Sequence, residues 1–376
     1  MAVLSAHTSV DAIAAHDWDA CAGTGNPFVR HAFFHALEAS DSACAATGWL
    51  PLHLSVDLGD GIAGIAPAYV KSHSQGEYVF DHGWADAFER AGGRYYPKLQ
   101  VSVPFTPATG PRLMTRTPDA APHLIAGLQA LAEGNGLSSV HATFLTQDQA
   151  ELLDAAGWLI RMDRQFHWQD AGYGDFEGFL GALASRKRKA IRKERATALE
   201  GGISIRWITG ADLRQAHWDA FWTFYQDTGA RKWGQPYLTR RFFSMLGESM
   251  AESVLLVFAY RNGRPVAGAL NLIGADTLYG RYWGVIEDHP CLHFEVCYYQ
   301  AIDFALARGL TRVEAGAQGE HKLARGYAPT PTWSAHWIAH AGLRRAVADF
   351  LDHERRAMAD IIAELDQATP FRRQPE

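Results

Sequence analysis

The chain has 376 residues, enough for two or three domains of ordinary size, and its 48% hydrophobic and 12% aromatic content can build real cores. A net charge of -6 and a pI near 6.3 give no global reason to expect nucleic acid. Four cysteines without a CxxC (Cys21, Cys44, Cys291, Cys297) exclude a disulfide framework and fit a reducing compartment. The N-terminus has no basic start and no long apolar core, and no apolar run approaches ~18 residues. The expectation is therefore a cytoplasmic globule with no signal peptide and no membrane span.

The first half reads as a mixed α/β unit. "PFVRHAFFHALEAS" has helical spacing, with Phe33, Phe34 and Leu37 on one side. "LPLHLSVDLGDGIAGIAPAYV" gives two β-like runs joined by a Gly/Asp turn, a hairpin signal. "EYVFDHGW" reads as a short strand ending in glycine. "APHLIAGLQALAEGNG" is a helix stopped by glycines, "LSSVHATFL" a strand, "QDQAELLDAAGW" a helix and "QFHWQ" a closing strand.

The second half begins near Gly174. "DFEGFLGALASRKRKAIRKERATALEGG" reads as one long helix, with Asp175 as N-cap and Gly201-Gly202 as the stop. A strand, "ISIRWI", two helices and three strands ("SVLLVFAY", "RPVAGALNLI", "DTLYGRYWG") follow. "HFEVCYYQAIDFALARG" is an amphipathic helix with Phe294, Cys297, Ala301 and Ala305 inward, and "TRVEAG" is a strand. The final helix carries the stripe Val347, Phe350, Leu351, Met358, Ile361, Ile362 and Leu365. The two halves echo each other in pattern, which predicts two similar α/β domains in tandem, residues 1–173 and 174–376.

At "LYGRYWG", "LHFEVCYYQAIDFALARGL", "EAGAQGEHKLARGYAPTPTWSAHWI" and "YYPKLQVSVPFTPATGPRL" the chain resembles the bacterial FemAB-like family, described as peptidoglycan biosynthesis/recognition and grouped with the GNAT-type N-acyltransferases. The resemblance implies a mixed-sheet fold of two tandem GNAT-like acyltransferase domains. It also implies transfer of an aminoacyl group from aminoacyl-tRNA to an amine of a peptidoglycan precursor. It brings no catalytic assignment residue by residue, so the site residues rest on chemistry.

"EAGAQGEHKLARGY" concentrates Glu314, Gln318, Glu320, His321, Lys322 and Arg325 among glycines. It is neither a P-loop nor a dinucleotide fingerprint. It also lacks the [QR]xxGx[GA] loop of typical acetyltransferases. The plainer reading is a solvated polar loop; both signs of charge beside flexible glycines favour a site. In "RYWGVIEDHPCLHFEVCYY", His289, Cys291, His293 and Glu295 alternate, and on a strand they would share one face and could bind a metal. Pro290 and the helical pattern from Phe294 break that alternation, so no metal site is expected. His293 and Glu295 fit a pocket at a strand-to-helix handover better.

"SRKRKAIRKER" holds seven basic residues against one acid, in a chain that is acidic overall. Arg186, Lys187, Arg188, Lys189 and Arg192 occupy nearly every helical face. Such a helix repels itself unless a polyanion lies on it, although most charge runs are only solvated faces. Lys98 and Arg112, in the proline-rich "YYPKLQVSVPFTPATGPRL", and Asp81 and Trp84, in "VFDHGW", are candidates for cleft walls.

No GxSxG or thiol-protease signature occurs, and Cys297 reads as a small core residue. Direct attack by an amine on an activated acyl group is the expected chemistry. Glu295, His293, Glu314 and His321 are the candidate bases, with Glu295 first. Lys322, Arg325 or an amide at a strand bulge would meet the oxyanion. Arg281, Tyr282 and Trp283, with Gln318 and Glu320, would line the substrate. No tightly bound cofactor is expected. Acyl-CoA or aminoacyl-tRNA would be the co-substrate, and an amine-bearing small molecule or peptide the partner. A binding module for tRNA or peptidoglycan fragments and a metal-dependent hydrolase are the alternatives.

Overall fold

The structure, a computed structural model, describes residues 2–232, 236–316 and 319–372. Its strands are β1 (Val3–His7), β2 (Trp49–Pro51), β3 (His53–Asp57), β4 (Ile62–Ala66), β5 (Ala68–Lys71), β6 (Lys98–Val101), β7 (Met114–Thr115) and β8 (Ser139–Leu145). They continue with β9 (Leu159–Gln169), β10 (Ile203–Thr209), β11 (Val254–Arg261), β12 (Arg264–Ile273), β13 (Thr277–Val285), β14 (Arg312–Glu314) and β15 (Ala328–Ile338). No helix among the described residues is long and apolar enough to cross a membrane.

The residues form two compact units, 1–164 with 331–360 and 165–330 with 361–376. The chain thus passes to the second unit nine residues earlier than the sequence suggested, and it returns to the first. The return follows from β15, which the sequence reading did not foresee: Ala335 and His336 pair antiparallel with Ala142 and His141 of β8.

In the first unit β1, β3, β4 and β7 form one sheet. β2, β5 and β6 run antiparallel, and β6 pairs parallel with β8. Alternation sorts β6 and β8 cleanly. Leu99, Val101, Val140 and Ala142 join the apolar core with Leu124 and Leu128 of the helix Ala120–Gly134. The other face is polar and buried. Gln100 Nε2 donates to Thr143 Oγ1 at 3.0 Å, and His141 Nδ1 lies 2.7 Å from His336 Nδ1. "EYVFDHGW" is not a strand: its end opens the helix His82–Arg90, with Asp81 at the cap. The reason is that Glu77 and Asp81 are buried on Lys98, and these polar contacts take the place of ladder pairing.

In the second unit β10, β11, β12 and β13 form an antiparallel meander, β13 pairs parallel with β14, and β14 pairs antiparallel with residues 167–169 of β9. Helix 292–308 covers one face, burying Val296, Ile302 and Ala305 on Val257, Val266, Leu278 and Val313. The long helix expected from Asp175 is two helices. Asp175 caps the first, Phe176–Ala182, by accepting from Gly178 N at 2.7 Å. Leu183 is then extended and bridges to Phe371, Ala184 N donates to Pro370 O at 2.9 Å, and the basic helix Ser185–Ala198 starts afresh. The helix ends at Ala198 with Leu199 as its cap, and Gly201, of the glycine pair expected to stop it, follows in the left-handed region within the next short turn. The last helix, Ala341–Gln367, buries only Leu343, Val347 and Leu351; Phe350 and Ile361 are exposed, so the expected stripe is shorter.

Candidate active site

β13 and β14 run side by side only as far as Tyr279 and Glu314. β14 then ends while β13 continues to Val285, so the parallel ladder between them stops before Gly280. On its other edge β13 carries a bulge. Leu270 faces Tyr282 and Asn271 faces Gly280, leaving Arg281 as the extra residue. The parting of the strands opens a cavity of about 110 Å³ lined by Gly280, Arg281, Tyr282 and Trp283 of β13, by Ala315 just past β14, and by His293, Cys297 and Tyr298 from helix 292–308.

Helix 292–308 is not regular. Residues Glu295–Tyr299 form a π-helical turn, a wider winding that recurs at functional sites because it re-aims side chains. The His293 ring lies edge-on to Trp283 at 5.4 Å and to Tyr298 at 5.3 Å. Tyr298 OH lies 2.9 Å from His321 Nε2, and burial pushes its phenol pKa well up. The Tyr282 ring packs on Tyr225 at 5.2 Å and lies 5.1 Å from the Arg281 guanidinium. The cavity thus offers one imidazole, a second imidazole one hydrogen bond away through Tyr298, a thiol, and a guanidinium at the bulge.

The remaining candidates fall in other places. Glu295 does not line the cavity. It is fully buried at the first position of the π turn, where it accepts from Arg195 Nε and Nη2 at 3.1 and 3.0 Å and from Gln300 Nε2 at 2.7 Å. Burial raises its pKa against the pull of Arg195, yet both oxygens are committed, so its position is that of an anchor. Glu314 is buried at the end of β14, with Oε2 4.0 Å from His167 Nε2. Burial holds the His167 pKa down at about 3, so that imidazole is neutral. Lys322 is buried, donates to Gly316 O at 2.8 Å, and has its pKa lowered by burial to about 8. Arg325 donates to His321 O at 2.7 Å and to Glu194 at 2.9 and 3.0 Å. Glu320 and His321 are exposed, and Gln318 lies outside the described residues. The alternation His289, Cys291, His293, Glu295 is broken by the helix start at Leu292. No cluster of three or more metal-ligating side chains exists among the described residues.

Asp81, Trp84, Lys98 and Arg112 belong to the first unit. Lys98 Nζ donates to Glu77 Oε2 and Ser74 Oγ at 2.8 Å and also to Asp81. Arg112 is spent on the carbonyls of Thr143 (2.9 Å) and Ala108 (2.8 Å), which braces the proline-rich loop. Trp84 stands edge-on to His336 at 4.9 Å. On the basic helix, Arg186, Lys187, Lys189 and Arg192 are exposed and Arg188 is half-buried; Arg192 reaches Glu177.

Sequence reasoning missed Cys297 and Tyr298 as lining residues. The spacing of four between His293 and Cys297 was the available signal, since such a pair shares a helix face.

A mixed sheet in each unit, with two strands parting over a helix in the second, defines a protein built of two tandem GNAT-like domains. The chain matches the FemAB-like family, described as peptidoglycan biosynthesis/recognition, over residues 9–373, and it belongs to that family. Among solved structures it is similar to FemX (TM-score 0.55, 11% identity, 93% of this chain and 100% of that one). It is also similar to L-PGS from Bacillus licheniformis (TM-score 0.52, 10% identity, 87% of this chain and 98% of that one). These likenesses are likenesses of fold. No curated protein sequence matches the chain.

Proposed function

We propose that the protein is an N-acyltransferase that moves an aminoacyl group from aminoacyl-tRNA to an amine of a peptidoglycan precursor or related peptide. The observation that carries this reading is the cavity at the parting of β13 and β14, where His293, Tyr298, Cys297 and the bulged Arg281 converge. At about 110 Å³ the cavity takes a small acyl or aminoacyl group but not its carrier. The carrier lies outside, and the exposed cations of the basic helix suit a polyphosphate backbone. Membership of a peptidoglycan biosynthesis/recognition family supports the choice of acceptor.

The chemistry is nucleophilic attack by a neutral amine. An alkyl ammonium has a pKa near ~10 and must lose a proton first. His293, in the cavity wall, takes that proton. The amine then attacks the ester carbon, and the developing oxyanion is met by the guanidinium of Arg281, which lines the cavity. His293 passes this first proton to solvent and then takes the second proton from the attacking nitrogen, which must leave to give the amide. As the intermediate collapses, the C–O bond to the ribose breaks and the leaving oxygen receives the Tyr298 proton, which His321, hydrogen-bonded to Tyr298, replaces. Water is kept out by the rings of Tyr282 and Trp283.

The test is single-turnover transfer from labelled aminoacyl-tRNA to an amine-bearing muropeptide, read by mass spectrometry of the amide product. Wild type forms the amide, and His293→Asn slows transfer by about 100-fold or more. Binding of the peptide without product, from aminoacyl-tRNA or from acyl-CoA, overturns the reading in favour of a binding module. Product from acyl-CoA alone keeps the cavity chemistry and replaces the donor.

A further inference from the structure

The basic helix Ser185–Ala198 has an inner face as well as an exposed one. Two consecutive residues on it, Glu194 and Arg195, reach the two ends of the π turn. Arg195 holds Glu295, the first residue of the turn, at 3.0 and 3.1 Å, and also binds Asp303 one helical stretch further on. Its guanidinium is seated 4.2 Å from the centroid of the Phe176 ring. Glu194 accepts from the hydroxyl of Tyr299, the last residue of the turn, and from Arg325 at 2.9 and 3.0 Å. Arg325 lies 3.5 Å over the Phe294 ring and donates to His321 O, and His321 bonds the Tyr298 hydroxyl. The residues gripped are Glu295 and Tyr299; of the three between them, Cys297 and Tyr298 line the cavity and Val296 joins the core.

A π turn is a rare interruption of an α-helix, frequent at functional sites, and here both its ends are held by side-chain contacts. Here the contacts at both ends come from one helix, and that helix carries seven positive charges within ten residues. Arg192 and Arg195 already face carboxylates, but unless a further anion is present the other five repel one another and favour loosening of the helix. A polyanion on the exposed face removes the repulsion. It therefore binds the docked, ordered helix better than the loosened one, and this differential affinity is what couples one site to another.

We propose that Glu194 and Arg195 are positioning residues, and that an RNA backbone seated on Arg186, Lys187, Lys189 and Arg192 firms the π turn and so completes the cavity. Donor binding is then what assembles the catalytic wall. This rests on the polyanion part of the functional reading above.

The test uses the full chain and a blunt RNA duplex with no single-stranded end, which can occupy the helix but is too wide to enter the cavity. The readouts are site-resolved alkylation of Cys297 by iodoacetamide and hydrogen exchange of the amides 295–299. In wild type the duplex slows Cys297 labelling by about fivefold or more and protects those amides. In Arg195→Gln the duplex still binds but labelling no longer responds to it, and Arg195→Lys, which keeps the charge, restores part of the response. A purely structural role for Arg195 would change the labelling rate without changing its response to RNA. Duplex binding with unchanged labelling and exchange in wild type overturns the inference and leaves the acyl-transfer reading standing. Failure of the duplex to bind overturns both the inference and the RNA-donor reading; exchange on the unmodified chain needs no variant to fold.

Discussion

Arg195 and Glu295 form a two-point ion pair at 3.0 and 3.1 Å across one hundred residues of sequence, with the carboxylate fully buried and the guanidinium about one quarter exposed. Removing one partner of a buried pair strands the other charge in a low-dielectric site. Arg195→Ala is expected to cost about 3 kcal/mol of stability, read as a lower midpoint in urea at unchanged slope. Glu295→Gln should also lose stability, because the neutral amide cannot answer the guanidinium. If Glu295→Gln kept full stability and lost only turnover, Glu295 would be a base after all and not an anchor.

Gly284 gives a second prediction. A methyl at this position would stand 2.2 Å from the carbonyl oxygen of Phe224. That oxygen belongs to the helix Gln215–Lys232, so backbone must move and no side chain can swing aside. Gly284→Ala should cost about 2 kcal/mol or more and shift β13 beside the cavity. Unaltered thermal unfolding of this variant would mean that helix and strand are loosely seated there.

The parts of the fold that were legible in the sequence are the strongly periodic ones. Alternating runs with glycine turns gave the β3–β4 hairpin and the β11–β13 meander, and Asp175 and Gly201 marked their helix ends. His293 could be singled out because it sits where a strand hands over to a helix. What surrounds Glu295, above all Arg195, is remote in sequence and invisible to periodicity. The same holds for Asp81, whose burial against Lys98 turned an apparent strand into a loop and a helix cap. The break at Leu183 depends on Phe371, nearly two hundred residues away. Long-range pairings of this kind set which faces are buried, and a single sequence does not display them.

Acid should unfold the protein through its buried neutral histidines. Burial lowers the pKa of His141 and of His167 from the usual 6.5 to about 3. Between those values the unfolded chain binds a proton that the folded chain refuses. Stability is therefore fully present above pH 6.5 and falls as the pH drops towards 3. Each histidine adds a slope of up to about 1.4 kcal/mol per pH unit. His167→Gln should be less stable at neutral pH, where it loses packing, but its stability should fall less steeply on acidification. Urea midpoints between roughly pH 6.5 and pH 4.5 that fall in parallel for both proteins would show that His167 titrates normally.

Salt dependence separates a nucleic-acid surface from a merely solvated helix. Each phosphate contact releases counterions and contributes about 0.9 to the slope of log K against log salt on a duplex. Neutralising the exposed Lys187 and Lys189 together should lower that slope by roughly 2 for binding of uncharged tRNA, and weaken affinity without changing sequence preference. Stability should hardly change, since neither side chain has an ion-pair partner among the described residues and both are exposed. Arg195→Lys is the contrasting case: its cation points inward to Glu295 and Asp303, so the slope should stay as in wild type while the stability falls. Equal slopes for wild type and the Lys187/Lys189 double variant would mean that RNA, if it binds, does so elsewhere, and the exposed face of this helix would then be a solvated one.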